Sequence, residues 1–380
     1  METWTLTAPC HFGLESVLKR EIYDLGYDIT QVRDGEVSFT GDAEAVARAN
    51  IWLRTAERLL LEVGRVKART YDELFEGVKA LPWEAFLPLH GKFWVTKASA
   101  VNCQLYSPSD IQSIVKKAIV ERLREKYHVA WFPEDGEEYP IRVRGRKDEF
   151  AICLDTSGAS LHKRGYRTEA GGAPISETLA AALIGLTRWR KGRILLDPFC
   201  GSGTFVIEAA LIAANRAPGL TRDFTAEKWT GLIPKNCFTD AVKEAEDLED
   251  LSDMGDLQGY DIDADVLRYA RANAARAGVD SFIHFQQRDV ADLHHAKKYG
   301  FIITNPPYGE RMGEQEELAE LYRTLGSRFA ALDSWSCYVI TPYADIEKAF
   351  GRKATKNRKV YNGMIRTYFY SFEGPKPVHK

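Results

Sequence analysis

Four residues, Asn305-Pro306-Pro307-Tyr308, set a side-chain amide, two imino acids and an aromatic ring directly after the apolar run Phe301-Ile302-Ile303-Thr304. That run reads as a buried strand, so the four stand at a strand's C-terminal end. The prolines fix φ and remove two backbone donors, which leaves carbonyls free to accept. Asn305 accepts through its side-chain oxygen, and Tyr308 offers a flat face for stacking. Asn305, Pro306, Pro307 and Tyr308 together suit a planar group that carries an exocyclic NH2, such as a nucleobase.

Earlier in the chain, Asp197-Pro198-Phe199-Cys200-Gly201-Ser202-Gly203-Thr204 follows the apolar run Ile194-Leu195-Leu196 and precedes a helix-like stretch, Phe205 to Leu211. Gly201 and Gly203 let the backbone approach a ligand closely. The position three after Gly203 is Val206, so the dinucleotide fingerprint is incomplete, and no Gly-Lys-Ser/Thr follows to cradle phosphates. A nucleotide-like ligand without a pyrophosphate fits better. Asp197 can pair with a cationic amino group, Asp261 in Gly259-Tyr260-Asp261-Ile262-Asp263 can accept from a ribose diol, and Asp289 can accept from an adenine amino group. S-adenosylmethionine has that amino group, an adenosine and no phosphate. Its expected contacts are Asp197, Pro198, Phe199, Gly201, Gly203, Thr204, Asp261, Ile262, Asp289 and Asn305. Asp263 reads as a helix cap, Asp289 has a rival reading as a turn acid, and Cys200 reads as a small filler. The glycine loop lies about 60 residues before Asp261, against roughly 20 in dinucleotide folds, which an insertion over 215–256 would explain.

These motifs need strands to carry them. From about residue 160, strand-like runs at 193–197, 257–261, 282–286, 300–304 and 336–341 alternate with helix-length segments, which predicts an α/β fold with a mostly parallel, doubly wound sheet. Ligands of such sheets sit beyond the carboxyl ends of the strands, where both motifs fall. The first 160 residues predict smaller α+β pieces, with strands at 3–7, 36–40, 59–66 and 92–98 and helices at 13–26, 42–53, 71–81 and 109–127. Residues 240–256 hold eight acids against one lysine and predict an exposed, mobile insertion. At 380 residues the chain exceeds one core. Its 51 basic and 54 acidic residues, net −3, exclude a globally basic nucleic-acid binder and leave room for local patches. The six cysteines are scattered, without a C-x-x-C pair or clustered histidines, so no metal site, no disulfide framework and a reducing, cytoplasmic compartment are expected. No apolar stretch approaches the roughly 18–20 residues of a membrane span.

The three motifs, with Asn305-Pro306-Pro307-Tyr308 continuing into Gly309-Glu310-Arg311, resemble class I methyltransferases that modify exocyclic amines of bases. More narrowly, the chain resembles the bacterial THUMP-domain RNA methyltransferases related to the large-subunit ribosomal RNA guanine-N2 enzymes, often labelled N6-adenine-specific DNA methylases. Leu161 to Arg167 and Ala173 to Ala180 look like that family's entry segment to the catalytic domain, which makes Arg164 and Glu177 secondary candidates beside the cofactor. The resemblance implies a ferredoxin-like α+β unit over 1–56, a THUMP RNA-binding domain over 57–160 and a Rossmann-like class I methyltransferase domain over 161–380. It also implies an RNA partner, ribosomal RNA of the large subunit, and guanine N2 as the target.

Candidate RNA contacts are Arg142, Arg144, Arg146 and Lys147 on one predicted strand, His162, Lys163, Arg164 and Arg167, Arg311, and the C-terminal run that includes Lys356 and Arg358 with interleaved Tyr361 and Tyr368. Rival readings are an adenine-N6 methyltransferase, on DNA or RNA, and a non-catalytic RNA-binding scaffold. A dehydrogenase is disfavoured by the absent third glycine.

Overall fold

The computed structural model describes residues 3–168, 174–309 and 314–377. Strands β1 (Trp4–Pro9), β2 (Ile29–Arg33), β3 (Glu36–Gly41), β4 (Leu60–Lys67), β5 (Lys92–Val101), β6 (Glu138–Arg146) and β7 (Glu149–Asp155) build one sheet in the order β2-β3-β1-β4-β7-β6-β5. The first α+β pieces of the sequence therefore share a sheet: β1 pairs with β4 through Leu6 opposite Leu61 and Thr7 opposite Leu60. Only β5 and β6 run parallel within it, joined by the long helix Pro108–Tyr127, as a parallel crossover demands.

The second sheet contains β8 (Leu195–Asp197), β9 (Leu257–Asp261), β10 (Ile283–Gln287), β11 (Phe301–Thr304), β12 (Ser336–Thr341), β13 (Lys356–Asn362) and β14 (Ile365–Phe372) in the order β10-β9-β8-β11-β12-β14-β13. β10, β9, β8, β11 and β12 are parallel, and the hairpin β13–β14 closes the edge antiparallel. Central strands in such a sheet are covered on both faces and need continuous apolar sequence, and all four residues of β11 are buried. The chain runs outward from β8 to β10 and then returns to the other side of β8 as β11. That reversal opens a crevice at the strands' carboxyl ends between β8 and β11, and Asp197 and Asn305 flank it.

The acidic stretch predicted as an exposed, mobile insertion starts instead within an ordered helix, Lys235–Asp247. Its composition hides one apolar face: Cys237, Phe238, Ala241 and Ala245 recur at helical spacing and pack into the core of the first sheet, with Phe224, Trp229 and Ile233 from the segment before them. Trp229 stacks on Tyr139 of β6 at 4.9 Å between ring centroids and donates its indole N–H to the Glu138 carbonyl at 2.8 Å. Arg48 holds Glu244 with two bonds of 2.7 Å. Residues predicted to belong to the catalytic domain thus complete the core of the N-terminal half. Among the described residues no helix is long and apolar enough to cross a membrane, and no group of three or more His, Cys, Asp and Glu could hold a metal ion.

Candidate active site

A cleft of about 960 Å³ opens at the crevice, and Asp197, Pro198, Phe199, Gly201, Thr204, Asp261, Ile262, Asp289 and all four residues of the Asn305–Tyr308 motif line it. Asp197 ends β8 and is only 2% exposed. Its Oδ1 accepts from the Thr304 hydroxyl at 2.6 Å and from the Phe199 amide at 3.1 Å. Loss of water around the carboxyl outweighs these bonds and pushes its pKa up to about 7. Thr304, the last residue of β11, so ties the ends of the two central strands together. The sequence shows Thr304 only as the polar end of an apolar run.

The turn after Asp197 is shaped by two glycines with positive φ, Gly201 at +51° and Gly203 at +87°. Gly203 starts the buried helix Thr204–Ala213, and a Cβ there would press on Phe285, Ala270 and Ile207 at 3.2–3.3 Å. A Cβ on Gly201 would meet nothing within 4 Å, so its bare face looks into open space. Asp261 Oδ2 accepts from the Gly201 amide at 3.0 Å, which fixes the glycine turn against β9, while its Oδ1 takes the Asp263 amide. Asp263 caps the next helix through the amides of Asp265 and Val266, as predicted. Asp289 also caps a short turn, accepting from the Ala291 amide at 2.8 Å, while its residue still faces the cleft. Ile262 is 65% exposed at the cleft wall, an apolar surface suited to an aromatic ring. Burial pushes the Cys200 thiol well up, consistent with a filler. An apolar wall, a buried carboxyl with no cation partner among the described residues and an open glycine turn fit a ligand with an adenine ring, a diol and an ammonium.

Just beyond the end of β11, Asn305 Oδ1 accepts from the Tyr308 hydroxyl at 2.6 Å. That hydroxyl in turn accepts from Asn362 Nδ2 at 3.1 Å. Burial pushes the phenol up to about 12, so it stays protonated. Asn362 ends β13, and nothing local in the sequence links a hairpin asparagine to a motif on β11. Glu57 is a second residue that no sequence motif marks. It lines the same cleft from the N-terminal half, accepting from His11 at 3.1 Å, from His162 at 3.4 Å and from the Thr178 hydroxyl. These bonds hold its carboxyl well below the usual carboxylate range despite burial.

The cations predicted to touch RNA divide into two sets. Arg142, Arg144 and Arg146 do share β6, but each is paired: Arg142 with Asp155 at 2.8 Å, Arg144 with Glu36, and Arg146 with Asp34 at 3.4 Å. Arg164 is 3% exposed and donates to the Leu161 and Arg54 carbonyls beside Glu208. Arg167 holds Glu177 and the Ile175 carbonyl, both at 2.8 Å. The structure corrects the expectation for Arg164, because a buried guanidinium cannot present itself to phosphate, and it gives each β6 arginine a carboxylate partner within the fold, Arg142 sharing Asp155 with Arg58. Lys163, Lys356 and Arg358 are exposed. Arg311, Glu310 and Ala173 lie outside the described residues.

Residues 164–370 match the RMKL-like methyltransferase domain, residues 5–60 the RlmL ferredoxin-like domain and residues 68–155 the THUMP domain. The chain is 46% identical over 374 residues to "Putative RNA methyltransferase YpsC" of Bacillus subtilis, covering 98% of this chain and 96% of that one. It is 35% identical over 387 residues to "Ribosomal RNA large subunit methyltransferase K/L" of Cellvibrio japonicus, covering 96% of this chain and spanning only 50% of that protein. The solved structure of SMU.472 complexed with SAH superposes with a TM-score of 0.94 at 41% identity, each chain covered in full.

Proposed function

The chain belongs to the RMKL-like methyltransferases that carry a ferredoxin-like and a THUMP domain, and from that membership we propose that it methylates the exocyclic N2 of a guanine in large-subunit ribosomal RNA. It is an S-adenosylmethionine-dependent methyltransferase. The substrate is the proposal, and its cytoplasmic setting goes with it. The observation that carries the reading is the Asn305 side chain lining the cleft at the crevice between β8 and β11, one residue beyond Thr304, which bonds Asp197.

S-adenosylmethionine supplies an electrophilic methyl group on its sulfonium. Asp197 would take the ammonium, Asp261 the ribose hydroxyls and Ile262 one face of the adenine, with Asp289 near its amino group. An exocyclic amine is a poor nucleophile because its lone pair is delocalised into the ring. Accepting both N–H bonds, at Asn305 Oδ1 and the Pro306 carbonyl, localises that pair and aims it at the methyl carbon. Tyr308 would stack on the base, which must leave its helix to be reached. Asn305 and Pro306 would hold the amine in line with that methyl group, and the proton the amine sheds on methylation would leave to water. Positioning supplies much of the rate. The exposed hairpin cations Lys356 and Arg358, together with Lys163, would meet phosphate.

The test is incubation with methyl-labelled S-adenosylmethionine and unmodified ribosomal RNA, transfer RNA or duplex DNA, followed by nucleoside analysis. Label in N2-methylguanosine from ribosomal RNA is expected, whereas label only in N6-methyladenine would overturn the substrate. Asn305→Ala should abolish turnover and leave cofactor affinity within a few fold; a large loss of cofactor binding would contradict the role given to Asn305.

A further inference from the structure

Resting on that reading of the site, the geometry points to Asn362 as a positioning residue that sets the direction of the Tyr308 proton and so keeps the Asn305 oxygen turned toward the target amine. The Tyr308 hydroxyl has one proton. In the structure it accepts from Asn362 Nδ2 at 3.1 Å and gives its own proton to Asn305 Oδ1 at 2.6 Å. A phenol that accepts on one side is free to donate on the other, and the hydroxyl stays a donor because burial pushes it up to about 12.

Asn305 presents two chemically opposite ends of similar shape, a carbonyl oxygen and an NH2. Only the oxygen can accept from an exocyclic amine; the NH2 would repel it. The Tyr308 proton selects the oxygen, which has a second lone pair for the substrate. Asn362 is placed to enforce this from outside the motif. It is the last residue of β13 and pairs with Ile365 across the turn; beyond it stand Gly363, with φ +60°, and Met364, 97% exposed. Asn362, Gly363 and Ile365 line the cleft, while Lys356, Arg358 and Lys359 of the same strand face solvent. The relay thus joins the reacting amide to the hairpin that would meet the substrate's backbone.

The decisive variant is Asn362→Asp, of the same shape and opposite polarity. A carboxylate at this position accepts the phenol proton and takes it from Asn305, which frees the Asn305 amide to turn. Expected is a fall in kcat of roughly tenfold or more with KM changed less, a milder fall for Asn362→Ala, and no further loss when Asn362→Asp is added to Tyr308→Phe. Equal activity of wild type and Asn362→Asp would overturn the assignment. So would a full additional loss on the Tyr308→Phe background, which would mark a field or folding effect. Side-chain amide spectra of the cofactor- and substrate-free protein, labelled with ¹⁵N-asparagine, decide the relay independently of turnover. The Asn305 resonances should move alike in Asn362→Asp and Tyr308→Phe; if they stay at the wild-type position in Asn362→Asp, the relay is absent. A wild-type protein that methylates no nucleic acid sinks the substrate reading alone, and the spectra then still report on the relay.

Discussion

Strand β6 and the hairpin β13–β14 both place cations at close intervals, half-buried on β6 and exposed on the hairpin, and what faces those cations differs. On β6, Arg142 shares Asp155 with Arg58, and Arg144 and Arg146 meet Glu36 and Asp34. On the hairpin, Lys356, Arg358, Lys359 and Arg366 are exposed, and among the described residues none has a carboxylate partner. Arg358 donates to the Gly13 carbonyl at 2.5 Å, and Lys359 and Arg366 lie over the Tyr361 and Tyr368 rings, each at 5.3 Å. Charge bound to a neighbour within the fold serves the fold; charge left on a surface beside the cleft is available to a polyanion. Alternation along a strand does not distinguish the two cases.

The strongest way to break this contrast is to remove the hairpin's charges. Replacing Lys356, Arg358, Lys359 and Arg366 together by Ala should make the plot of log affinity for a ribosomal RNA fragment against log salt shallower by about 3–4, with thermal stability unchanged. A slope that stays put would show that phosphate is met elsewhere. On β6 the effects should be exchanged. Asp155→Ala strands two arginines beside a buried position and should cost about 3 kcal/mol in urea unfolding, with the salt slope of RNA binding as in wild type.

The smallest effect sharpens the contrast within buried carboxyls. Asp197 is raised from 3.8 to about 7, and Glu21 in the N-terminal half is raised from 4.5 to about 7, both chiefly by burial. Between its unfolded and folded values each group keeps a proton in the folded state that the unfolded chain has released. The cofactor-free protein should therefore lose stability as pH rises from about 4 to about 7. Only Asp197 is assigned a cation from the cofactor. Calorimetric titration should show cofactor affinity rising several-fold between roughly pH 6 and pH 7, before the ligand's own amino group begins to lose its proton, a rise that Asp197→Asn removes and Glu21→Gln leaves intact.

The parts legible in sequence were those where one local segment carries the whole signal. Buried parallel strands need unbroken apolar runs, so β8 and β11 and the polar residues that end them stood out, and Asp263 was recognisable as a cap from its place before a helix. Asn362, Thr304 and Glu57 act across strands that are distant in the chain, and no local pattern announces such partners. The same holds for the β6 arginines: their spacing shows a shared face, and nothing near them shows Glu36 or Asp155 opposite. Within the acidic stretch 240–256, the many acids obscure the narrow stripe of Cys237, Phe238, Ala241 and Ala245 on the helix that it shares.

The placement of Phe224, Trp229 and Phe238 in the N-terminal core has a consequence for how the chain is made. On the ribosome, β1 to β7 emerge long before these side chains do, so the apolar seat beside Tyr139 stays open while β8 and the helix Thr204–Ala213 are being synthesised. An N-terminal domain that normally folds first as a unit is here sealed by a plug encoded downstream. Neither half of the translation product is finished until the other is well under way.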